Sequence, residues 1–144
     1  MTIQRTAFAF LLLAAIAAGR TAIAATPLWW DTSYLLRFNV NVTTGANLPD
    51  KGYNGYTARI AALDTQSLIA AGEMQADCSD LRIVYYNGLS WQELARHVIG
   101  CNTGTTDVRF MLAADIPASS SDDNYYLYYD NGAAGGLPPL STIA

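Results

Sequence analysis

Leu81-Arg82-Ile83-Val84-Tyr85-Tyr86-Asn87-Gly88 sets Leu81, Ile83 and Tyr85 on one side of an extended chain and Arg82, Val84 and Tyr86 on the other, then stops at Asn-Gly. Alternation at period two marks a strand with two unlike faces. Asn-Gly between such runs is the strongest short-range hairpin signal. The chain is therefore expected to double back, with residues 91–99 returning antiparallel to 81–86. That returning run has no clean apolar face: Leu94 and Val98 share one side with Arg96, while Trp91, Ala95 and Ile99 share the other with Glu93 and His97. Its register stays open.

The same period recurs on either side. Leu36, Phe38, Val40 and Val42 alternate with Arg37, Asn39 and Asn41, and Tyr56, Ala58, Ile60 and Ala62 alternate with Thr57, Arg59 and Ala61. Further on, Val108, Phe110 and Leu112 make a strand closed by Ile116-Pro117, residues 119–123 read as an exposed loop, and 125–129 read as the last strand. Between the second and third strands, Asp64 or Thr65 can cap a short helix through 66–71, with Gly72 available to end it left-handed. Six short strands separated by turn residues predict an all-β fold, an antiparallel β-sandwich of jelly-roll type with one short helix. From residue 132 the composition turns to Gly, Ala and Pro, which is linker chemistry. The reading is thus a β-sandwich over 25–131 and a linker or tail over 132–144.

Residues 7–18 are twelve apolar residues behind Arg5, followed by Ala22-Ile23-Ala24. A membrane-spanning helix needs roughly twenty, whereas a short apolar run before small residues is a cleavable signal peptide. Residues 1–24 are read as that signal, so the mature chain is expected outside the cytoplasm, secreted or in the cell envelope, without membrane insertion. Losing Arg5 and Arg20 leaves six basic against twelve acidic residues, a net charge of −6. Such a surface repels phosphate backbones and argues against nucleic acid as a partner. Cys78 and Cys101 are the only cysteines. In an exported chain an even count favours a disulfide, here expected to hold the hairpin at Asn87-Gly88, over two buried thiols.

Five segments in order resemble the domain of unknown function numbered 2341, a family of exported and surface proteins. Residues 30–37, Trp-Asp-Thr-Ser-Tyr-Leu-Leu-Arg, resemble its opening signature, and Asp80-Leu81-Arg82-Ile83 its central one. Leu94 falls where the family has a Leu, residues 108–117 resemble its strand ending in Ile-Pro, and residues 126–131, Tyr-Leu-Tyr-Tyr-Asp-Asn, resemble its closing Tyr-Leu-Tyr-Tyr-Gly-Asn. Asp130 stands where that pattern has Gly. The resemblance implies a β-rich surface module with neighbours in a longer chain, additional domains downstream among them, and it carries no catalytic residues.

Catalysis needs a nucleophile with a base, or paired carboxylates. One His, His97, no phosphate loop and no metal-ligand spacing argue against an enzyme, a metal and a cofactor. Asp80 and Arg82 share a strand face and read as a structural ion pair, and a carboxylate beside Arg82 or Arg96 reads as a surface pair. The acidic run at 121–124 offers oxygen ligands of the kind calcium takes, with a solvated loop as the simpler account. Three Trp and nine Tyr exceed what one small core needs. Trp29, Trp30, Trp91, Tyr126 and Tyr128 are therefore the candidate ligand-binding residues, since flat rings stack on sugar faces, although most rings are expected to pack. The expected function is a non-catalytic recognition or scaffold module, with glycans or other surface proteins as partners. The alternatives are a structural spacer or adhesion module presenting its neighbours, and a glycan-active enzyme fragment.

Overall fold

The computed structural model describes residues 28–46 and 55–136. The expected signal peptide lies outside the described residues, as does the chain beyond 136. Among the described residues seven strands and one helix follow in order: β1 (Leu36–Thr43), β2 (Thr57–Leu63), α1 (Thr65–Ala70), β3 (Arg82–Tyr86), β4 (Trp91–Leu94), β5 (Arg96–Ile99), β6 (Thr106–Met111) and β7 (Ser121–Tyr129). They form a four-stranded sheet, β1-β7-β3-β4, and a three-stranded sheet, β2-β6-β5, and each strand pair is antiparallel.

The alternation seen in sequence explains why the sheets face each other. Ile83, Leu94, Tyr125 and Leu127 of the larger sheet meet Val108 and Phe110 of the smaller one in a single buried cluster. The Phe110 and Tyr125 rings lie 5.6 Å apart across it. Asp64 is the residue that caps α1, its Oδ1 accepting from Ser67 N at 3.0 Å. Thr65 is instead buried, sharing a 2.6 Å hydroxyl contact with Thr106 at the start of β6. Gly72, left-handed at φ 77, donates its N–H to Ile69 and ends the helix.

Three expectations are corrected, and the expected hairpin is present with its turn one residue further on. The run 91–99 is two strands, because β4 pairs with β3 whereas β5 pairs with β6 in the other sheet, and Ala95 is the crossing point. The mixed faces that left the register open are the trace of that crossing: the sides of the chain exchange roles there. Residues 121–123 are not loop, since Ser121 and Asp122 pair with Thr43 and Val42, so β1 supplies backbone partners to a polar segment. The hairpin at Asn87 turns on Gly88 and Leu89, with Asn87 Oδ1 accepting from Leu89 N and Ser90 N. A positive φ at Gly88 alone is the pattern of a Gly-first two-residue turn. Residues 132–135 are not free linker, because Gln75 Nε2 donates to Ala134 O and Arg82 Nη2 donates to Gly135 O at 2.8 Å.

Cys78 and Cys101 are bonded, with α-carbons 6.0 Å apart. Cys78 precedes β3 and Cys101 follows β5, so the bond joins the two sheets and does not hold the β3–β4 hairpin. Removing it by the paired change Cys78→Ala and Cys101→Ala should lower unfolding stability by roughly 3 kcal/mol, the chain-entropy value for a loop of this length. Guanidinium denaturation of the oxidised parent and the variant measures the loss. A difference below about 1 kcal/mol would mean that the sheets are held without the staple.

Candidate functional site

One face of the four-stranded sheet looks into the sandwich and the other looks out. Register fixes what the outer face carries. Arg37, Tyr128 and Arg82 stand in one row across β1, β7 and β3, and Asn39, Tyr126, Val84 and Glu93 stand in the next, extended onto β4. Tyr86 and Trp91 pair beyond them. Residues 28–34 then fold across this face. An Asx turn closes on Asp31, whose Oδ1 accepts from Ser33 N at 2.8 Å, and Trp29 Nε1 donates to Tyr34 O at 2.8 Å. Trp30 N donates to the Tyr128 hydroxyl at 3.0 Å.

The result is a second, aromatic cluster outside the main core. Tyr34, Val84 and Tyr128 are buried, with Trp30, Trp91, Tyr126 and Ala134 packed around them. The Tyr128 ring is edge-on to Trp29 at 5.3 Å and to Trp30 at 5.5 Å, and the Trp91 ring lies 5.4 Å from Tyr126 and 4.7 Å from Tyr86. Edge-to-face rings at these spacings attract through their quadrupoles. The Arg37 guanidinium lies 4.5 Å from the Trp29 ring centre and 5.0 Å from that of Tyr126, and its Nη1 donates to the Tyr128 hydroxyl at 2.8 Å. A cation placed so is held by several ring faces together.

The five candidate ring residues therefore share one surface but differ in access. Trp29 is 37% exposed, while Trp30, Trp91 and Tyr126 are half-buried. Tyr128 is corrected from ligand contact to packing residue, because its ring is buried and its hydroxyl is used internally. Tyr125, one residue from Tyr126, points the other way into the sandwich. Burial raises the pKa of Tyr34, Tyr125 and Tyr126, so these phenols stay neutral across physiological pH.

The expected Asp80–Arg82 pair is also corrected. Asp80 is 1% exposed, and its oxygens accept from backbone N–H groups, Gln75 N at 3.0 Å, Asp130 N at 3.1 Å and Asn131 N at 3.2 Å. Arg82 turns to Glu93, with Nε 3.1 Å from Oε1, and donates to the Ser79 and Leu81 carbonyls. Arg96 reaches the same Glu93 oxygen at 3.1 Å, and since its side chain is fully buried the pair is no surface ion pair. Arg96 Nε and Nη2 have no hydrogen-bond partner. Burial, reinforced by the like charge of Arg82 and opposed by Glu93, pushes Arg96 down to about 10, still cationic at pH 7. A charge on residues 91–99 was visible in sequence; that it sits buried at a sheet crossing was not.

On the far side, Arg59, Arg109 and His97 align across the outer face of the smaller sheet. Asp107 binds Arg59 Nε at 2.7 Å and Arg109 Nη2 at 3.2 Å, and these bonds, Arg59 first, hold its carboxyl below the usual range. In the acidic run, Asp122 accepts from Asn124 N and Nδ2, which closes a turn on itself. Among the described residues no group of three or more His, Cys, Asp or Glu is arranged to hold a metal, and no helix is long and apolar enough to cross a membrane. No family model, curated protein or solved structure matches the chain.

Proposed function

We propose that this chain is a non-catalytic recognition module of the cell surface or secreted space, and that it binds glycans on the outer face of its four-stranded sheet. The observation that carries the reading is the run of rings Tyr126, Trp91 and Tyr86, joined to Trp29 through the Arg37 guanidinium and backed by buried Tyr128. Rings fixed before binding lose little entropy on meeting a ligand, and half-exposed rings offer CH-binding faces beside polar atoms. The disulfide supports export, and residues 1–24 fit a signal peptide. The nested pairing of β1 with β7 and β2 with β6 supports a jelly-roll-like arrangement.

Membership of the domain family numbered 2341 is proposed on a further convergence. Its opening, central and closing signatures supply Trp30 and Arg37, Asp80, and Tyr128 and Asn131, which bond to one another here. Two carboxylates lie near the ring face. Asp80 is saturated by backbone amides and Glu93 is committed to two guanidiniums, which speaks for binding over acid–base chemistry.

Trp29→Ala tests the reading. It should weaken binding of the best array glycan about tenfold, equivalent to about 1.4 kcal/mol. Unfolding stability should fall by about 2 kcal/mol, since the cation–π contact, the edge-on contact with Tyr128 and the Nε1 bond to Tyr34 O go together. Absence of binding to any glycan by parent and variant alike would leave the spacer module as the better account.

A further inference from the structure

β1 and β2 are outer strands of the two sheets, and a cavity of about 310 Å³ opens between them. Half-buried Val40, Val42, Ala58 and Ile60 line it, and buried Phe110 reaches it from the core. Among the described residues no strand pairs with the second side of either. Such a side presents N–H and C=O groups that can take another extended chain. The two strands are not equal hosts. β1 is irregular between Val40 and Val42, whereas β2 keeps a regular register from Thr57 to Ile60 and breaks only beyond it, around left-handed Ala62. Ala58 and Ile60, opposite Phe110 and Val108, turn in toward the core, and Arg59 between them is exposed on the outer face.

That outer face carries an excess of positive charge. Arg59 stands directly opposite Arg109, with His97 next in the row, and like charges so placed repel. One carboxylate serves both guanidiniums, Asp107 giving Oδ1 to Arg59 and Oδ2 to Arg109, so two cations share one anion. Arg59 lies on the outer strand with its side chain 60% exposed. A carboxylate set beside it on the open side of β2 balances the row.

We propose that the open side of β2 takes a β-strand from a protein partner in which apolar and acidic residues alternate: the apolar side chains enter the cavity between β1 and β2, and a carboxylate faces Arg59. One strand of period two meets both demands, because its two faces meet an apolar cavity and a cationic row. In a chain of formal net charge −4, that row marks where an acidic segment is attracted and not repelled. The segments outside the described residues do not supply such a strand: 1–27 and 137–144 hold no acidic residue, and 47–54 hold one, Asp50, beside Lys51. This surface is separate from the ring face and independent of the glycan reading.

The test titrates the full chain, followed by amide NMR, with three end-capped peptides: Val-Glu-Val-Glu-Val, Val-Lys-Val-Lys-Val and the reordered Val-Val-Val-Glu-Glu. The first should shift the amides of 57–60, slow their exchange with water, and bind about tenfold more tightly than the second at low salt. The reordered peptide keeps composition and charge without the alternation, and should bind about tenfold more weakly than the first. Arg59→Glu should reverse the preference between the glutamate and lysine peptides. Equal binding of those two, a preference that Arg59→Glu leaves in place, equal binding of the reordered peptide, or no response to any of them overturns the proposal. Slow exchange at 57–60 in a chain that is dimeric by itself also overturns it, by placing a second copy in the cavity. A galacturonate tetramer that shifts the Arg59 and Arg109 side-chain signals where the glutamate peptide does not would assign the row to an anionic sugar instead.

Discussion

Asp80→Ala should destabilise the domain by about 4 kcal/mol, since charge-assisted hydrogen bonds contribute about 1.5–3 kcal/mol each and three part-buried amides lose their acceptor together. Asp80 stands just before β3, and Asp130 and Asn131 stand just after β7, its neighbour in the sheet. The carboxylate thus clamps the start of β3 to the end of β7 and to Gln75. Gln75 tightens the same knot by donating from Nε2 to Asn131 O at 2.8 Å. Asp130 is left-handed at φ 64, a conformation that a non-Gly residue keeps only when its surroundings hold it. Asp130→Gly should therefore be neutral or stabilising by up to about 1 kcal/mol, because glycine adopts this φ without strain. Urea denaturation reads both variants, and the Asp80→Ala loss corresponds to a fall in Tm of about 15 °C or more. An Asp80→Ala variant within about 1 kcal/mol of the parent would show that the clamp contributes little.

Asp80 also shows where sequence stops short. A strand pattern gives side and spacing, so Leu81, Ile83 and Tyr85 were legible as core, and Asp80 and Arg82 as sharing the other side. What a buried carboxylate bonds to depends on which strand lies next to it, and the neighbour of β3 is β7, far along the chain. Backbone amides of a distant turn leave no mark in local spacing. Ala95 makes the same point. The pattern over 91–99 breaks because the chain changes sheets, and a broken pattern reads as ambiguity until both sheets are in place. Cap, hairpin and alternating strands were legible because each is settled within a few residues.

The tyrosines divide along the same line. That consecutive rings on β7 point to opposite faces follows from period two, so one set had to leave the sandwich core. Which of the outward rings stayed accessible was decided by residues 28–34, which lie over Tyr128 and leave Trp29 at the rim. A covering segment of this kind packs by shape and by single hydrogen bonds, and Trp29-Trp30 in sequence announces only that two large rings need a place.

Tyr128 is the residue on which that cover rests, and its replacement gives the second large effect. Its ring is 0% exposed and meets Trp29, Trp30, Tyr34 and Trp91, so Tyr128→Ala should cost about 3–5 kcal/mol, as for other buried aromatic truncations. Near-UV circular dichroism should lose most of its tryptophan bands at temperatures where the far-UV strand signal persists, because the aromatic cluster lies outside the main core. Tyr128→Phe keeps the ring but removes the acceptor used by Trp30 N and Arg37 Nη1, and should cost about 1–2 kcal/mol. Ring and hydroxyl are thereby separated. If the cluster orders the binding face, Tyr128→Phe retains most glycan affinity while Tyr128→Ala abolishes it, and the loss tracks the near-UV signal, not global unfolding. A Tyr128→Ala variant that keeps both its tryptophan bands and its stability within about 1 kcal/mol would show that residues 28–34 are held elsewhere, and would take from the ring face the rigidity on which its proposed role depends.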